Sequence, residues 1–226
     1  MSGIRKQAIT SSILVYIGVA FGVVNTYFFV KEGAFTDQQY GLTRIFFDVG
    51  QNFYVFASLG VIPVIYKFYP YYRDNLKDGE IDLLSRAFAM AGIGFLLVAI
   101  AGIFLEPLVI QKFSARSQLF VDYYFWVFPF AFGLLAFSLL EGYAWALQKT
   151  VLPNFLKETG LRFFTFIFII LYSFHYISFS VFMMLFSMMY ILIALWLLIA
   201  LIRSGKFHFS FSVSRVTKKF RRKMLN

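Results

Sequence analysis

The chain has 226 residues, of which 60% are hydrophobic and only 14% charged, with mean hydropathy +0.74 and a formal net charge of +10. A soluble domain runs nearer half apolar and a quarter charged, and one core could not absorb this apolar load and still leave a wettable surface. A soluble enzyme, a disordered tail and a disulfide scaffold are thereby excluded, and an integral membrane protein remains.

Alternating ten-residue strands are absent, which excludes an outer-membrane barrel. There is no cysteine, so no disulfide, thiol nucleophile or thiolate metal site can form. His175 and His208 stand far apart without neighbouring carboxylates, so neither a metal site nor a cofactor is expected. The basic balance raises nucleic-acid binding. The distribution argues against it, because the basic residues sit between apolar runs or at the C-terminus, as topology determinants do.

In chain order, Arg5 and Lys6 precede an apolar run over 8–30. It is too long for a signal-peptide core and lacks a small-residue cleavage site, so it reads as an uncleaved first span. Ser11, Gly18, Gly22 and Asn25 fall at i, i+7, i+11 and i+14, one stripe suited to helix packing, with Asn25 able to border a cavity. The second span, 40–66, carries Arg44, Asp48, Gln51 and Asn52 at i, i+4, i+7 and i+8, again one face. At about 1.5 Å per residue this stripe covers about 12 Å of depth. A charge at mid-bilayer costs about 2.5–3.5 kcal/mol on insertion scales, so the stripe must meet protein or water. A self-neutralising Arg44–Asp48 pair would be in the weaker, Arg-first order and would leave Gln51 and Asn52 unexplained. A water-filled cavity is therefore expected there. Pro63 predicts a kink, and Tyr66, Phe68, Tyr69, Tyr71 and Tyr72 predict an interfacial belt. Asp74, Asp78, Glu80 and Asp82 follow in a stretch that reads as solvated linker.

The third span, 83–105, is nearly bare of polar groups after Arg86 and is expected to face lipid. Tyr123, Tyr124 and Trp126 form a second belt at the start of the fourth, 121–147, where Pro129 predicts another kink. Inside it, Ser138, Glu141 and Trp145 share a face. Glu141 must pair with Arg162 or Lys157 across helices, or be protonated. The fifth span, 154–174, begins after Pro153 and carries Glu158, Arg162 and Thr165 on one stripe, either an ion pair in the favoured Glu-first order or a cavity lining. The sixth, 178–202, is polar only at Ser187 and Tyr190 and is expected at the bundle exterior. In the tail, 204–226, Phe207, Phe209, Phe211 and Val213 alternate with polar residues, which suits a short strand or an extended segment. The run Lys218 to Lys223 suits an anionic-lipid anchor or the lead-in to a further span.

The expected fold is thus an all-α membrane protein with a six-transmembrane-helix bundle over 1–203 and a basic tail or linker over 204–226. Short connections favour antiparallel neighbours. With the N-terminus inside, only Lys31, Lys112 and Arg116 among the loop cations lie outside, so both termini are expected in the cytoplasm. A hydrophilic lining is expected from spans one, two, four and five, with Arg44, Asp48, Gln51, Asn52 and Asn25 toward the outside and Glu141, Glu158 and Arg162 toward the inside.

Several stretches carry a resemblance. They are Ser2-Gly3-Ile4-Arg5-Lys6-Gln7-Ala8, Tyr40-Gly41-Leu42-Thr43-Arg44, Gly60-Val61-Ile62-Pro63 and Leu147-Gln148-Lys149-Thr150-Val151-Leu152-Pro153. With these the chain resembles the N-terminal six-helix lobe of polysaccharide-type flippases of the multidrug/oligosaccharidyl-lipid/polysaccharide exporter superfamily. The resemblance implies a non-enzymatic transporter of the bacterial inner membrane. It would move lipid-linked oligosaccharide, such as O-antigen units of lipopolysaccharide or capsule units, by alternating access between two lobes. It also implies that cavity arginines engage the polyprenyl diphosphate, with Arg44 the best match and Arg162 the next. A second lobe, or a second copy of the chain, is the expected partner along with the bilayer. Drug-exporting relatives use an acidic residue in the first span, where this chain has Asn25. The alternatives are a drug or metabolite exporter of the same fold and a non-catalytic scaffold subunit. An enzyme acting on polyprenyl phosphates would need clustered acids or a His/Asp base at membrane depth, and the sequence offers neither.

Overall fold

The computed structural model describes residues 2–225 apart from Glu32, Arg116, Lys206, His208 and Phe211, and their side chains except at 2–4, 6, 78 and 221–225. The described residues are helical or irregular, with no strand. Helix α1 spans Ser2–Val30. Helix α2, Asp37–Ser58, opens with a reciprocal cap in which the Thr36 hydroxyl accepts from the Gln39 amide and Gln39 accepts from the Thr36 amide. Leu59 and Gly60 both take left-handed φ, at 45° and 73°, and end it. Helix α3, Val61–Asn75, leaves at a bend of 48°. The second expected span is therefore broken. The cause is the pair of left-handed residues, since Pro63 sits in the first turn of α3, where no carbonyl is freed.

Helix α4 covers Leu83–Phe104, the short α5 Glu106–Phe113 and α6 Gln118–Asp122. A 3-10 turn, Tyr124–Trp126, leads into α7, Val127–Ala146. Pro129 likewise falls in the first turn of α7, where no carbonyl is freed. The fifth expected span is α8, Val151–Asn154, then a π-helical stretch, Phe155–Gly160, then α9, Leu161–Ser173. Helix α10 is Phe179–Arg203, capped by Ser178, and α11 is Arg215–Leu225.

Among the described residues, four helices are long and apolar enough to cross a membrane, and up to five crossings result if the bent α2–α3 pair is one. This fits a multi-pass membrane protein. It is fewer than the six expected from hydropathy, because the π-helical stretch divides the fifth segment. Two ends can be told apart by contacts. Gln7 meets Thr150 at one end, and Gln39 meets Tyr172 at the other.

Helix α7 is the hub, with 67% of its apolar window buried against 17% for α1. Its Gly133 lets the α10 backbone approach at Ile191, and Phe130 stacks on Phe186 of α10. The sixth span was expected outside. Helix α10 does expose one face, with Leu192, Leu195, Trp196 and Ile199, but its other face buries Phe182, Met183, Phe186, Met189, Ile193 and Leu197, and it packs most extensively on α7. Uniform apolarity made it look lipid-facing, but an all-apolar helix equally suits a core. Helix α4 does present an apolar outer face, including Ile93, Leu96, Leu97 and Ile100.

Helix α1 lies against the π-helical stretch and α9. A Cβ at Gly18 would collide with the Glu158 carbonyl, and the Thr159 hydroxyl donates to the Leu14 carbonyl at 2.6 Å. Gly18→Val is expected to lower stability by about 1–3 kcal/mol through overpacking. Gly92→Ala, inside α4 with open space around it, is expected to leave stability unchanged or raise it by up to about 1 kcal/mol. Thermal unfolding of the two variants in one detergent checks this contrast.

Candidate functional site

Four helices leave a chamber of about 570 Å³ between them. Helix α1 contributes Gly22, Asn25 and Thr26, α2 Thr43 and Arg44, α9 Arg162 and Thr165, and α10 Phe186. The walls are mostly apolar, and the two charged groups are both guanidinium groups. Arg44, Asn25 and Arg162, three of the residues expected in the lining, are brought together here. The sequence placed Arg44 and Arg162 at opposite depths; the structure gives them one chamber.

Each is held differently. Arg44 Nε donates to the Tyr40 hydroxyl at 3.2 Å, its terminal nitrogen donates to the same oxygen, and the guanidinium carbon stands 5.1 Å from the Tyr40 ring centroid. Tyr40 lies one turn earlier on α2, so helical spacing sets this contact. Among the described residues no ion pair joins Arg44 to Asp48, and the Arg44 side chain stays exposed. Arg162 follows the π-helical stretch and pairs with Glu158 at 3.4 Å. Its side chain runs over Gly22 of α1, within 3.5 Å of where a Cβ would stand. The Arg162 carbonyl accepts from Asn25 Nδ2 at 2.8 Å. Asn25 is buried, and among the described residues its Oδ1 meets no hydrogen-bond partner. The stripe on α1 is thus a packing face as far as Gly22 and a chamber wall at Asn25.

The remaining expected residues lie elsewhere. Asp48, Gln51 and Asn52 are exposed on α2 beyond the chamber, with Asn52 Nδ2 bonded to the Asp48 carbonyl at 2.8 Å. Glu141 on α7 is outside the chamber lining. It is 6% exposed and meets Lys157 Nζ at 3.2 and 3.3 Å. Of the partners open to it, Lys157 takes it and Arg162 does not, because Arg162 is turned to Glu158. The fourth span therefore does not line the chamber, and its place is taken by Phe186 of α10. The sequence had Thr165 on the same stripe as Arg162, and it does line the chamber; Tyr40, Thr43 and Phe186 were missed. The i,i+4 spacing of Tyr40 and Arg44 was a usable signal; Phe186 lay among too many phenylalanines to stand out.

Two oriented guanidinium groups against apolar walls can bind a dianionic or extended anionic group bidentately while an apolar portion lies alongside. Among the described residues no group of three histidines, aspartates or glutamates converges on a metal-sized site. Against models of protein families, curated proteins and solved structures, the chain has no match.

The Glu141–Lys157 pair ties α7 to the π-helical stretch. Lys157→Ala leaves a buried carboxylate unpaired and is expected to cost about 1–3 kcal/mol. Glu141→Gln costs less, since Lys157, with a side chain 42% exposed, can then hydrate. Denaturation of both variants in detergent gives the order.

Proposed function

We propose that this chain is a transporter lobe that moves polyprenyl-diphosphate-linked oligosaccharide across the bacterial inner membrane by alternating access. The observation that carries the reading is the pairing of Arg44 and Arg162, from separate helices, in one chamber flanked by apolar surface. A diphosphate is the matching chemistry. It offers oxygens to two forks at once, while the prenyl chain stays in lipid and the sugar extends into water. Among the described residues no carboxylate lines the chamber, and Arg44 has no ion-pair partner, whereas Arg162 is paired with Glu158. The Arg44 charge favours an anionic over a cationic solute and so favours this reading over drug export.

In this reading the chain crosses the membrane six times, counting 151–173 as one crossing with a π-helical turn inside it. The basic end, which holds both termini, faces the cytoplasm. Asp48, Gln51 and Asn52 would be covered by a second lobe or a second copy, because exposed polar groups on a spanning helix are costly against lipid. The two lobes would rock about the arginine site. The flippase resemblance supplies the direction and the substrate class.

The test is export of surface glycan in a strain dependent on this chain. Arg44→Ala and Arg162→Ala should each abolish it at normal protein level and topology. Lysine at either position should restore only part, since a point charge cannot replace the bidentate fork. Undiminished export in Arg44→Ala would remove the diphosphate-binding role.

A further inference from the structure

The tail is held to the bundle through a buried carboxylate. Arg215, Val216, Thr217, Lys218, Lys219 and Phe220 begin α11, which contains no acidic residue. The start of α11 is fixed to the bundle by Asp82, which is wholly buried. Asp82 Oδ2 accepts from the Ser214 amide at 3.1 Å, and Thr217 Oγ1 donates to Asp82 Oδ1 at 2.9 Å. Arg86 Nε is 3.5 Å from the same carboxylate. Tyr72 of α3 shares the Thr217 hydroxyl at 2.8 Å, and Ser214 caps the helix by accepting from the Thr217 amide at 3.1 Å. A carboxylate at a helix N-terminus also meets the positive end of the helix dipole. Asp82 is therefore a buried clasp, not solvated linker as its sequence neighbours suggested.

The clasp lays one face of α11 on α3. Val216 is buried, and Phe220 packs on Phe68, Tyr71 and Tyr72 with ring centroids 4.8, 5.3 and 6.3 Å apart. Lys218 and Lys219 remain exposed. Between the two helices lies a cleft of about 290 Å³ lined by Lys67, Phe68, Tyr71, Lys219 and Phe220. One lysine comes from each helix. Lys219 Nζ reaches the Tyr71 hydroxyl at 3.4 Å, and Lys67 Nζ lies 5.6 Å from the Phe68 ring centroid. Tyr71 lines the cleft, and the adjoining α11 is fixed at Asp82, the residue before the apolar helix α4 begins at Leu83. The end of a spanning helix lies at the depth of phospholipid headgroups.

The geometry points to this cleft as a binding site for the phosphate headgroup of an anionic phospholipid, with Lys67 and Lys219 as its cationic jaws. A phosphate between two ammonium groups is neutralised, Tyr71 supplies a hydroxyl, and the aromatic floor meets the glycerol and upper acyl chain. The exposed basic face of α11 adds a less local attraction to the anionic surface. Lipid in the cleft binds α3 and α11 together, so headgroup charge would hold the tail on the bundle. This inference rests on the membrane placement of the apolar helices and not on the transport reading.

The test uses the full chain purified in detergent. Retention of dioleoylphosphatidylglycerol and dioleoylphosphatidylcholine is compared by native mass spectrometry, with inorganic phosphate as competitor. The unaltered chain should prefer the anionic lipid, and Lys67→Ala and Lys219→Ala should each lower that preference roughly fivefold, the worth of one basic residue near an anionic surface. Lys218→Ala, on the same helix but outside the cleft, should change it far less. All three are surface changes expected to fold, which circular dichroism verifies. Equal loss in Lys218→Ala and Lys219→Ala would replace a site by diffuse charge and overturn the proposal. Displacement of the lipid by millimolar inorganic phosphate would assign the cleft to free phosphate and overturn the lipid assignment.

Discussion

An ionised side chain among apolar helices must be paired, bonded or hydrated, and here each solution builds a different part of the molecule. Glu141 is paired with Lys157 and joins α7 to the π-helical stretch. Asp82 is bonded to Ser214 and Thr217 and joins α11 to the bundle. Arg44 retains exposure, Arg162 is half-buried and paired with Glu158, and both border a chamber. That last solution depends on how α1 is seated. Gly18 removes the side chain that would hold α1 away from Glu158, and Asn25 fastens the same helix to the Arg162 carbonyl. Were α1 displaced outward, the chamber would lose a wall.

The π-helical stretch has a geometric consequence of its own. Wider turns rotate the residues that follow relative to those before. Lys157 within it can reach α7 while Arg162, just beyond it, turns toward α1 and α2. A regular α-helix already sets residues five apart about 140° around its axis, and the wider π turns make that angle smaller without bringing Lys157 and Arg162 to the same neighbour. Such stretches recur at functional positions, and this one sits between the chain's central ion pair and its chamber.

Much of the architecture was legible in the sequence because hydropathy reports burial from water directly. The all-helical character, the apolar positions of α1, α4, α7 and α10, and the Glu158–Arg162 pair follow from period and spacing. The stripe Ser11, Gly18, Gly22 and Asn25 was legible because small residues at helical spacing leave few other uses. Other features were hidden for identifiable reasons. Leu59 carries no sign that it will adopt positive φ, so the break before α3 was assigned to Pro63. Nothing in Phe155–Gly160 distinguishes π from α hydrogen bonding. The alternation at 207–213 suited a short strand or an extended segment; the described residues there form no strand, and Phe207 and Phe209 pack on Tyr143 and Phe88. His208 and Phe211 fall outside the described residues. Asp82 looked like its neighbours Asp74 and Glu80, because the Ser214 amide and Thr217 hydroxyl that bury it lie more than 130 residues away. Of the candidate site, Arg44, Asn25 and Arg162 were legible as polar groups needing a reason. Their meeting was not, since no spacing rule relates separate helices.

The chamber is central to the transport proposal, and the absence of cysteine from the natural sequence allows a direct measurement of it. Single cysteines at Val23 and Thr26 on the chamber wall, and at Ile93 and Leu97 on the outer face of α4, can be exposed to a membrane-impermeant thiol reagent in intact cells and in inverted vesicles. A water-filled chamber predicts labelling of Val23→Cys and Thr26→Cys from at least one side, with Ile93→Cys and Leu97→Cys protected from both. Protection of all four from both sides would mean that Arg44 and Arg162 border no aqueous space.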